Sequence, residues 1–167
     1  MAYKNKIYVA FDGDTDILYY YLMRAWTNNE NFNFEINDAH DLNSARDSSQ
    51  EESIKNQLRI RLQNSKALIL LIGEHTKYLR KFVRWELEYA LRNTMPIIAV
   101  NLNGKRYRDT DRCPAIISDE LVVHVSFSHK IIQHALDNWI DEFKRLKANG
   151  ECSARFYSDD VYKRLGI

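Results

Sequence analysis

The sequence predicts an α/β protein in which a five-stranded parallel sheet carries helices on both faces. Along the chain, short apolar runs alternate with amphipathic helical patterns. This alternation is typical of parallel strands joined by right-handed crossovers, with a helix in each connection. The length of 167 residues suits one hydrophobic core, and a composition of 45% hydrophobic and 28% charged residues excludes disordered, collagen-like and coiled-coil chains.

Five runs are predicted as strands because each is short and rich in Ile, Val, Leu or Phe. The four stronger runs are residues 7–11, 67–72, 97–102 and 121–127. Their near-continuous apolar character is expected of strands that are buried on both faces. The fifth run, residues 32–36, is weaker because apolar and polar side chains alternate in it.

Four longer segments carry apolar residues at helical spacing, and each is predicted as a helix. They are residues 16–28, 50–64, 77–94 and 128–147. In the first helix the apolar side is formed by Leu18, Tyr21, Leu22 and Ala25. The second helix begins at a capping box, residues 48–51.

We expect one domain over residues 1–147 and a C-terminal tail over residues 148–167. Within the tail, residues 158–165 could form a short helix that is capped by Ser158 and ended by Gly166. Loop 103–118 carries basic side chains beside acidic ones, so it is either a solvated insertion or a surface for a partner.

The charge balance is near neutral, with 24 basic and 23 acidic side chains, so nucleic acid is a poor default partner. Cys113 and Cys152 form no CxxC pair and lie at no zinc-ligand spacing, so we expect reduced thiols and no metal site. The longest apolar run, residues 67–72, is far shorter than the roughly 20 residues of a membrane helix. The N-terminal residues do not resemble a signal peptide, and we expect a cytoplasmic protein without membrane contact.

Functional residues are expected where the strands end, because open parallel sheets bind ligands beyond the carboxyl ends of their strands. The loop after the first strand carries Asp12, Asp14 and Asp16. Three interpretations remain open: a helix N-terminus capped by Asp14 or Asp16, a loop that binds ribose hydroxyls, or a magnesium site for phosphoryl transfer. The spacing of Asp12 and Asp14 resembles the DxD of haloacid-dehalogenase phosphatases, but Asp16 stands where that pattern has Thr or Val.

A polar loop, residues 37–47, follows the second strand and is longer than most strand–helix connections. Long loops on a rigid scaffold often carry functional residues. His40 is either a general base or a surface side chain. Arg46 pairs either with Asp47 or with a phosphate, and the sequence leaves both choices open.

Two glutamates lie on the helix predicted after the third strand. Glu88 has Arg84 four residues before it and Arg92 four residues after it, so surface ion pairs account for it. Glu86 has no basic partner at helical spacing and borders an apolar stripe. A carboxylate beside apolar surface is costly unless something pairs with it. Glu86 is therefore either a solvated edge residue or a carboxylate that pairs with a ligand or another loop.

These segments together resemble TIR-like domains, and among them the bacterial ThsB-type proteins of Thoeris antiphage systems. The resemblance extends from about Lys4 to Lys147 and rests on four segments: Ala-Phe-Asp at the end of the first strand, Asp-Ala-His-Asp-Leu-Asn, Leu-Leu-Ile-Gly73 and Phe82-Val-Arg-Trp-Glu86. Many TIR enzymes carry Trp-x-x-x-Glu on the helix after the third strand. Here the pattern reads Phe82-x-x-x-Glu86, which keeps an aromatic ring without an indole donor. The implied fold is a flavodoxin-like three-layer sandwich.

The resemblance implies NAD⁺ chemistry in phage defence. TIR enzymes of this type cleave the bond between nicotinamide and ribose, and some close the product into a cyclic ADP-ribose isomer that signals to a partner effector. Glu86 matches the family's catalytic glutamate, and NAD⁺ would be the substrate with no further cofactor. The expected substrate-binding residues are Phe11, Asp12, Asp14, His40, Asp41, Arg46 and Phe82. Low basal activity and self-association into homo-oligomers are also implied.

A single glutamate suffices for this chemistry on physical grounds. Nicotinamide leaves as a neutral molecule, so no general acid is needed, whereas glycosidases use two carboxylates. One carboxylate can hold the ribose hydroxyls and offset the charge that develops on the sugar. Three rival classes remain. A magnesium phosphatase is disfavoured by the incomplete DxD pattern and by the short length of the chain. A phospho-receiver domain is disfavoured because Gly73 and Glu74, not an aspartate, follow the third strand. The third rival is a catalytically silent TIR-like module that only assembles with partners.

Overall fold

A computed structural model of the protein describes residues 5–37 and 51–167. Six strands form one parallel sheet: β1 (Asn5–Ala10), β2 (Phe34–Ile36), β3 (Leu68–Ile72), β4 (Ile97–Asn101), β5 (Val123–Ser126) and β6 (Arg155–Phe156). Their order across the sheet is β2-β1-β3-β4-β5-β6. The helices are α1 (Ile17–Thr27), α2 (Glu51–Gln63), α3 (Phe82–Arg92), α4 (Ala115–Ser118), α5 (His129–Ala148) and α6 (Asp159–Arg164). The predicted α/β class and parallel sheet are confirmed. Within the described ranges, no helix combines the length and the hydropathy needed to cross a bilayer.

Each face of the sheet has its own hydrophobic core, because side chains alternate between the faces along a strand. In β1, Ile7 and Val9 join a first cluster with α1, α5 and α6, whereas Tyr8 and Ala10 join a second cluster with α2 and α3. All residues of β3 and β4 are buried, as expected of central strands covered on both faces. The second cluster is the layer that contains Glu86.

The sixth strand is a correction to the five strands predicted from the sequence. Arg155 and Phe156 of β6 pair with Val123 and His124 of β5. The Arg155 N–H also donates a hydrogen bond to the Val122 carbonyl at 2.8 Å. Phe156 is 63% exposed. Because β6 is only two residues long, it has no apolar run that hydrophobic periodicity could detect.

The tail helix predicted for residues 158–165 is present as α6. Ser158 precedes it but makes no side-chain capping hydrogen bond. Tyr162 of α6 is fully buried, and its hydroxyl accepts a hydrogen bond from the Ser126 N–H at 3.2 Å. The tail therefore packs against β5.

Helix α1 buries a different side from the one its sequence predicts. On the predicted apolar side, Leu18 is 72% exposed and Leu22 is 50% exposed. The buried residues of α1 are Tyr20 and Met23, and the Tyr20 ring stacks on Phe11 with ring centroids 4.6 Å apart. The prediction is wrong because α1 is apolar on two sides, and periodicity does not say which of them meets the sheet.

The helix that carries Glu86 begins at Phe82 and not at residue 77 as predicted. Thr76–Tyr78 forms a separate 3₁₀ turn, and Leu79 is extended, with φ −74° and ψ 123°. The apolar periodicity continues across this break, so the sequence does not reveal it. As a result, Phe82 is the first residue of α3 and Glu86 lies in its second turn.

Loop 103–118 is tied to the rest of the domain by ion pairs and amide hydrogen bonds. Its four cations all have acidic neighbours: Lys105 with Asp109, Arg106 with Asp159, Arg108 with Asp119, and Arg112 with Glu74. The side-chain amide of Asn101, at the end of β4, donates hydrogen bonds to two carbonyls of the loop. The ion pair between Arg112 and Glu74 holds Arg112 near the end of β3.

Candidate functional site

Glu86 lies in the core of the second layer. The buried residues of α3 are Val83, Glu86, Leu87 and Ala90, so the glutamate occupies the side of the helix that faces the sheet. Its relative exposure is 0%. The interpretation of Glu86 as a solvated edge residue is therefore wrong, and the alternative of a buried carboxyl that needs a partner remains.

The Glu86 carboxyl has no hydrogen-bond partner among the residues that the structure describes. The Tyr8 hydroxyl of β1 is equally buried and lies near enough to interact with it, although the two groups miss hydrogen-bond geometry. Burial raises the pKa of Glu86 to about 8, and the Tyr8 hydroxyl acts in the opposite direction. Burial, and then the charge of Glu86, raise the pKa of Tyr8 well above its ordinary value. Tyr8 therefore keeps its proton and remains a donor.

A third buried polar group, Arg61 of α2, lies on the same side of the sheet. Its Nη1 atom is buried without a hydrogen-bond partner in the described part of the chain, and its charge lowers the pKa of Tyr8. Thus β1, α2 and α3 each bring an unsatisfied polar group to one apolar layer. Such groups are rare in native proteins, and each needs an explanation.

Tyr8→Phe tests the contact between Tyr8 and Glu86. We expect the pKa of Glu86 to rise above its value of about 8, because the substitution removes a hydroxyl that lowers it. The ¹³C NMR titration of the glutamate side-chain carboxyl carbons measures this shift. A midpoint at or below that of the wild type contradicts the assignment. The fold should hold, because phenylalanine keeps the ring and the lost hydroxyl made no hydrogen bond to a described residue.

The neighbouring Glu88 has the surface role that the sequence predicts. Arg84 donates a hydrogen bond to Glu88 at 2.9 Å, and both side chains are partly exposed. The two glutamates of α3 therefore differ in environment although they are two positions apart. Glu88 is the natural control for any substitution of Glu86.

The aromatic residues of α3 pack against the second cluster, the layer that contains Glu86. Phe82, one turn before Glu86, is half-buried against the second cluster. Trp85 lies against Tyr89, with ring centroids 5.8 Å apart, and the Arg59 guanidinium of α2 lies 5.7 Å from the Trp85 ring centroid. Phe82, and not Trp85, holds the position expected for the aromatic residue of the motif.

In the acidic loop after β1, one carboxylate accepts hydrogen bonds from other residues of the same loop. Asp12 is 4% exposed and accepts hydrogen bonds from the Asp14 N–H at 3.0 Å and the Thr15 hydroxyl at 2.8 Å. Asp14 is exposed. Asp16 precedes α1 at the predicted capping position but makes no side-chain capping hydrogen bond. The capping interpretation of Asp16 is therefore wrong.

Asp16 instead lies against Gly73, the residue after β3. It is 6% exposed, and its Oδ2 is buried without a hydrogen-bond partner among the described residues. A Cβ atom on Gly73 would lie 2.6 Å from Oδ1 and 2.7 Å from Cγ of Asp16, so any other residue there would displace the Asp16 carboxyl. The Gly73 N–H donates to the Thr76 hydroxyl at 2.9 Å. The sequence interpretation missed this contact because its residues are far apart along the chain, and only the rule that strand ends meet could have indicated it.

The structure brings some of the predicted site residues together and leaves others unplaced. Phe82 and Glu86 share α3, whereas Asp12 and Asp14 follow β1. Phe11 belongs to the first cluster, on the opposite face of the sheet from Glu86. Three other predicted site residues, His40, Asp41 and Arg46, lie outside the described ranges. Residues 48–50 of the predicted capping box lie outside them as well. Among the described residues, no three His, Cys, Asp or Glu side chains are arranged to hold a metal ion.

The strand order, the acidic loop after β1 and the buried glutamate on the helix after β3 are the features expected of the TIR-like fold that the sequence resembles. The family model for the Thoeris protein ThsB, TIR-like domain, matches residues 8–107, which is more than half of the chain. The chain belongs to this family, and its role is in Thoeris antiphage defence. The matched region contains Tyr8, Asp16, Gly73 and Glu86.

Proposed function

We propose that the chain is an NAD⁺-consuming enzyme of antiphage defence, with Glu86 as its catalytic residue. It cleaves the nicotinamide–ribose bond and joins the freed sugar carbon to the adenine of the same molecule, which gives a cyclic ADP-ribose isomer that activates a partner effector. The observation that carries this proposal is the fully buried Glu86 carboxyl, which has no hydrogen-bond partner in the described part of the chain. Such a carboxyl destabilises the folded state, so a purely structural role does not account for it.

The chemistry needs one carboxylate. The bond between ribose C1′ and the nicotinamide nitrogen breaks, and its electron pair moves onto the pyridinium, which leaves as neutral nicotinamide. Ionised Glu86 accepts hydrogen bonds from the ribose hydroxyls and stabilises the positive charge that develops on the sugar. An adenine nitrogen then attacks C1′ and a proton passes to water, which gives the cyclic product. Attack by water would give linear ADP-ribose.

The raised pKa of Glu86 fits this order of events. The free enzyme holds a neutral carboxyl, because burial raises the pKa to about 8. The bound pyridinium cation favours the charged form and lowers that pKa. The carboxylate therefore forms when the substrate is present, in surroundings of low polarity where its attraction to the sugar cation is strong.

A second candidate function is an interaction module without catalytic activity. The exposed Leu18 and Leu22 of α1 favour it, because they leave an apolar surface on the outside of the domain. The same surface is compatible with an enzyme that works as a homo-oligomer. The two candidates differ in whether NAD⁺ is consumed.

Product analysis tests the proposed function. The protein is incubated with NAD⁺, with and without lysate from phage-infected cells, and the products are identified by chromatography and mass spectrometry. We expect little nicotinamide release by the isolated chain and a marked increase with infected lysate, because such enzymes need a trigger. Absence of nicotinamide release under both conditions would favour the interaction module. High turnover in dilute protein alone would contradict the expected need for a trigger.

A further inference from the structure

We infer that Asp16 and Gly73 form a second carboxylate subsite, which binds the hydroxyls of the adenosine ribose of the substrate. The inference rests on the proposed function, in which Glu86 holds the nicotinamide ribose. A dinucleotide contains two ribose diols. Asp16, at the end of the connection between β1 and α1, is like Glu86 a buried carboxyl with an oxygen that has no hydrogen-bond partner in the described ranges.

The position of Asp16 is the first argument. The strand order places β1 next to β3, and the connections that leave these two strands lead to α1 and α3 on opposite faces of the sheet. Ligands of open α/β sheets bind at such a switch point, in the crevice between the two diverging connections. Asp16 ends the connection after β1, and Gly73 begins the connection after β3.

The unused hydrogen-bonding capacity of Asp16 is the second argument. An aspartate before a helix normally caps it, but Asp16 turns away from its own helix and makes no such bond. Its Oδ2 is buried and unpartnered within the described ranges. Asp12, the neighbouring buried acid, has its carboxylate occupied by the Asp14 N–H and the Thr15 hydroxyl. Asp16 is therefore the acid of this loop that retains a buried free acceptor.

The absence of a side chain at Gly73 is the third argument. Any Cβ atom there would overlap the Asp16 carboxyl, at 2.6 Å from Oδ1. Glycine therefore lets the carboxyl lie directly over the end of β3. This arrangement is costly, because burial and the charge of Asp12 raise the pKa of Asp16. A bound diol, which donates two hydroxyl groups, would supply the missing partners.

The charges around Asp16 indicate what else the ligand carries. His75, after β3, and Arg112, from loop 103–118, both lower the pKa of Asp16, so both side chains lie on its side of the sheet edge. Arg112 is paired with Glu74 at 3.5 Å, a surface contact that a stronger anion can replace. A diol next to a phosphate, as in an adenosine diphosphate, matches this combination of a carboxyl acceptor with the Arg112 cation and the His75 imidazole.

Binding of ADP-ribose tests the subsite without requiring turnover. Isothermal titration compares ADP-ribose with its analogue that lacks the 2′-hydroxyl of the adenosine ribose. We expect the wild type to bind the analogue about 10- to 100-fold more weakly, because the analogue leaves a buried charged acceptor unpaired. In Asp16→Ala the ratio of the two dissociation constants, that of the analogue to that of ADP-ribose, should approach one. In Asp16→Asn, which keeps the shape and one acceptor oxygen, the ratio should be intermediate.

Matched variants separate binding from folding. Asp141→Asn, an exposed aspartate on α5, should keep the wild-type ratio and serves as the charge control. Gly73→Ala should lower the ratio as Asp16→Ala does, because the new methyl group displaces the carboxyl. Thermal unfolding identifies any variant that has lost its fold, and Asp16→Asn removes a buried charge, so its midpoint should not fall.

Each outcome of the titration decides for or against the subsite. An unchanged ratio in both Asp16 variants overturns it, as does failure of the wild type to bind ADP-ribose or to discriminate against the analogue. Discrimination that depends on Asp16 in a protein that does not cleave NAD⁺ upholds the subsite and rejects the proposed function. Cleavage of NAD⁺ together with discrimination that is independent of Asp16 upholds the proposed function and rejects the subsite.

Discussion

A Glu86→Gln protein should keep its fold and lose NAD⁺ cleavage, with turnover reduced at least about 100-fold. Glutamine has the shape of the glutamate but cannot carry the negative charge that offsets the developing sugar cation. The measurement is nicotinamide release under the triggered conditions, where the wild type is active. Turnover equal to that of the wild type would remove Glu86 from the mechanism.

Glu88→Gln is the matched control for this experiment. It makes the same chemical change two residues away on α3, where the side chain forms a surface pair with Arg84 at 2.9 Å. Exposed ion pairs contribute little to stability, about 0–1 kcal/mol. We therefore expect Glu88→Gln to retain wild-type turnover. Equal losses in both variants would indicate damage to the helix and not to the chemistry.

The Glu86→Gln substitution should also make the protein more stable at neutral and alkaline pH. The pKa of Glu86 is about 8 in the folded protein against an ordinary value of 4.5, so the folded state holds a proton that the unfolded state releases across this interval. The contribution of Glu86 to the free energy of unfolding is therefore fully present below pH 4.5 and is lost as the pH rises to about 8. The loss is about 1.4 kcal/mol per pH unit, or roughly 3 kcal/mol between pH 5.5 and 7.5.

Denaturant unfolding of both proteins across this pH range measures the effect. Because glutamine does not titrate, the stability difference between Glu86→Gln and the wild type should grow steadily with pH. His124, whose pKa burial lowers to about 4, favours the folded state as the pH rises, but it is present in both proteins and cancels in the difference. Parallel curves for the two proteins would show that the buried carboxyl is not neutral in the folded state. Glu88→Gln should run parallel to the wild type.

Sequence patterns predicted the fold because its central strands are continuous apolar runs. Leu68–Ile72 and Ile97–Asn101 are buried on both faces, and this burial requires the apolar character that makes them recognisable. β6 is held by backbone pairing to β5, which leaves no trace in side-chain composition. The orientation of α1 was not predictable for a related reason, because two of its sides are apolar and the choice depends on the stacking of Tyr20 on Phe11.

The candidate site was predictable where its features are local and not where they join distant segments. Helical spacing alone shows that Glu86 lacks a cation on its own helix and that Glu88 has one. The burial of Glu86 depends on β1 and α2, which pack against α3 from elsewhere in the chain. The approach of Asp16 to Gly73 likewise joins the ends of two strands whose adjacency only the folded sheet establishes.

The way the last residues meet β5 has a consequence for shortened versions of the protein. Removal of everything after residue 147 would take away the Arg155 N–H from the Val122 carbonyl and the Tyr162 oxygen from the Ser126 N–H. β5 would then become an open edge strand with unpaired backbone groups, a template for pairing with other molecules. We therefore expect a chain that ends at residue 147 to aggregate more readily than the 167-residue chain.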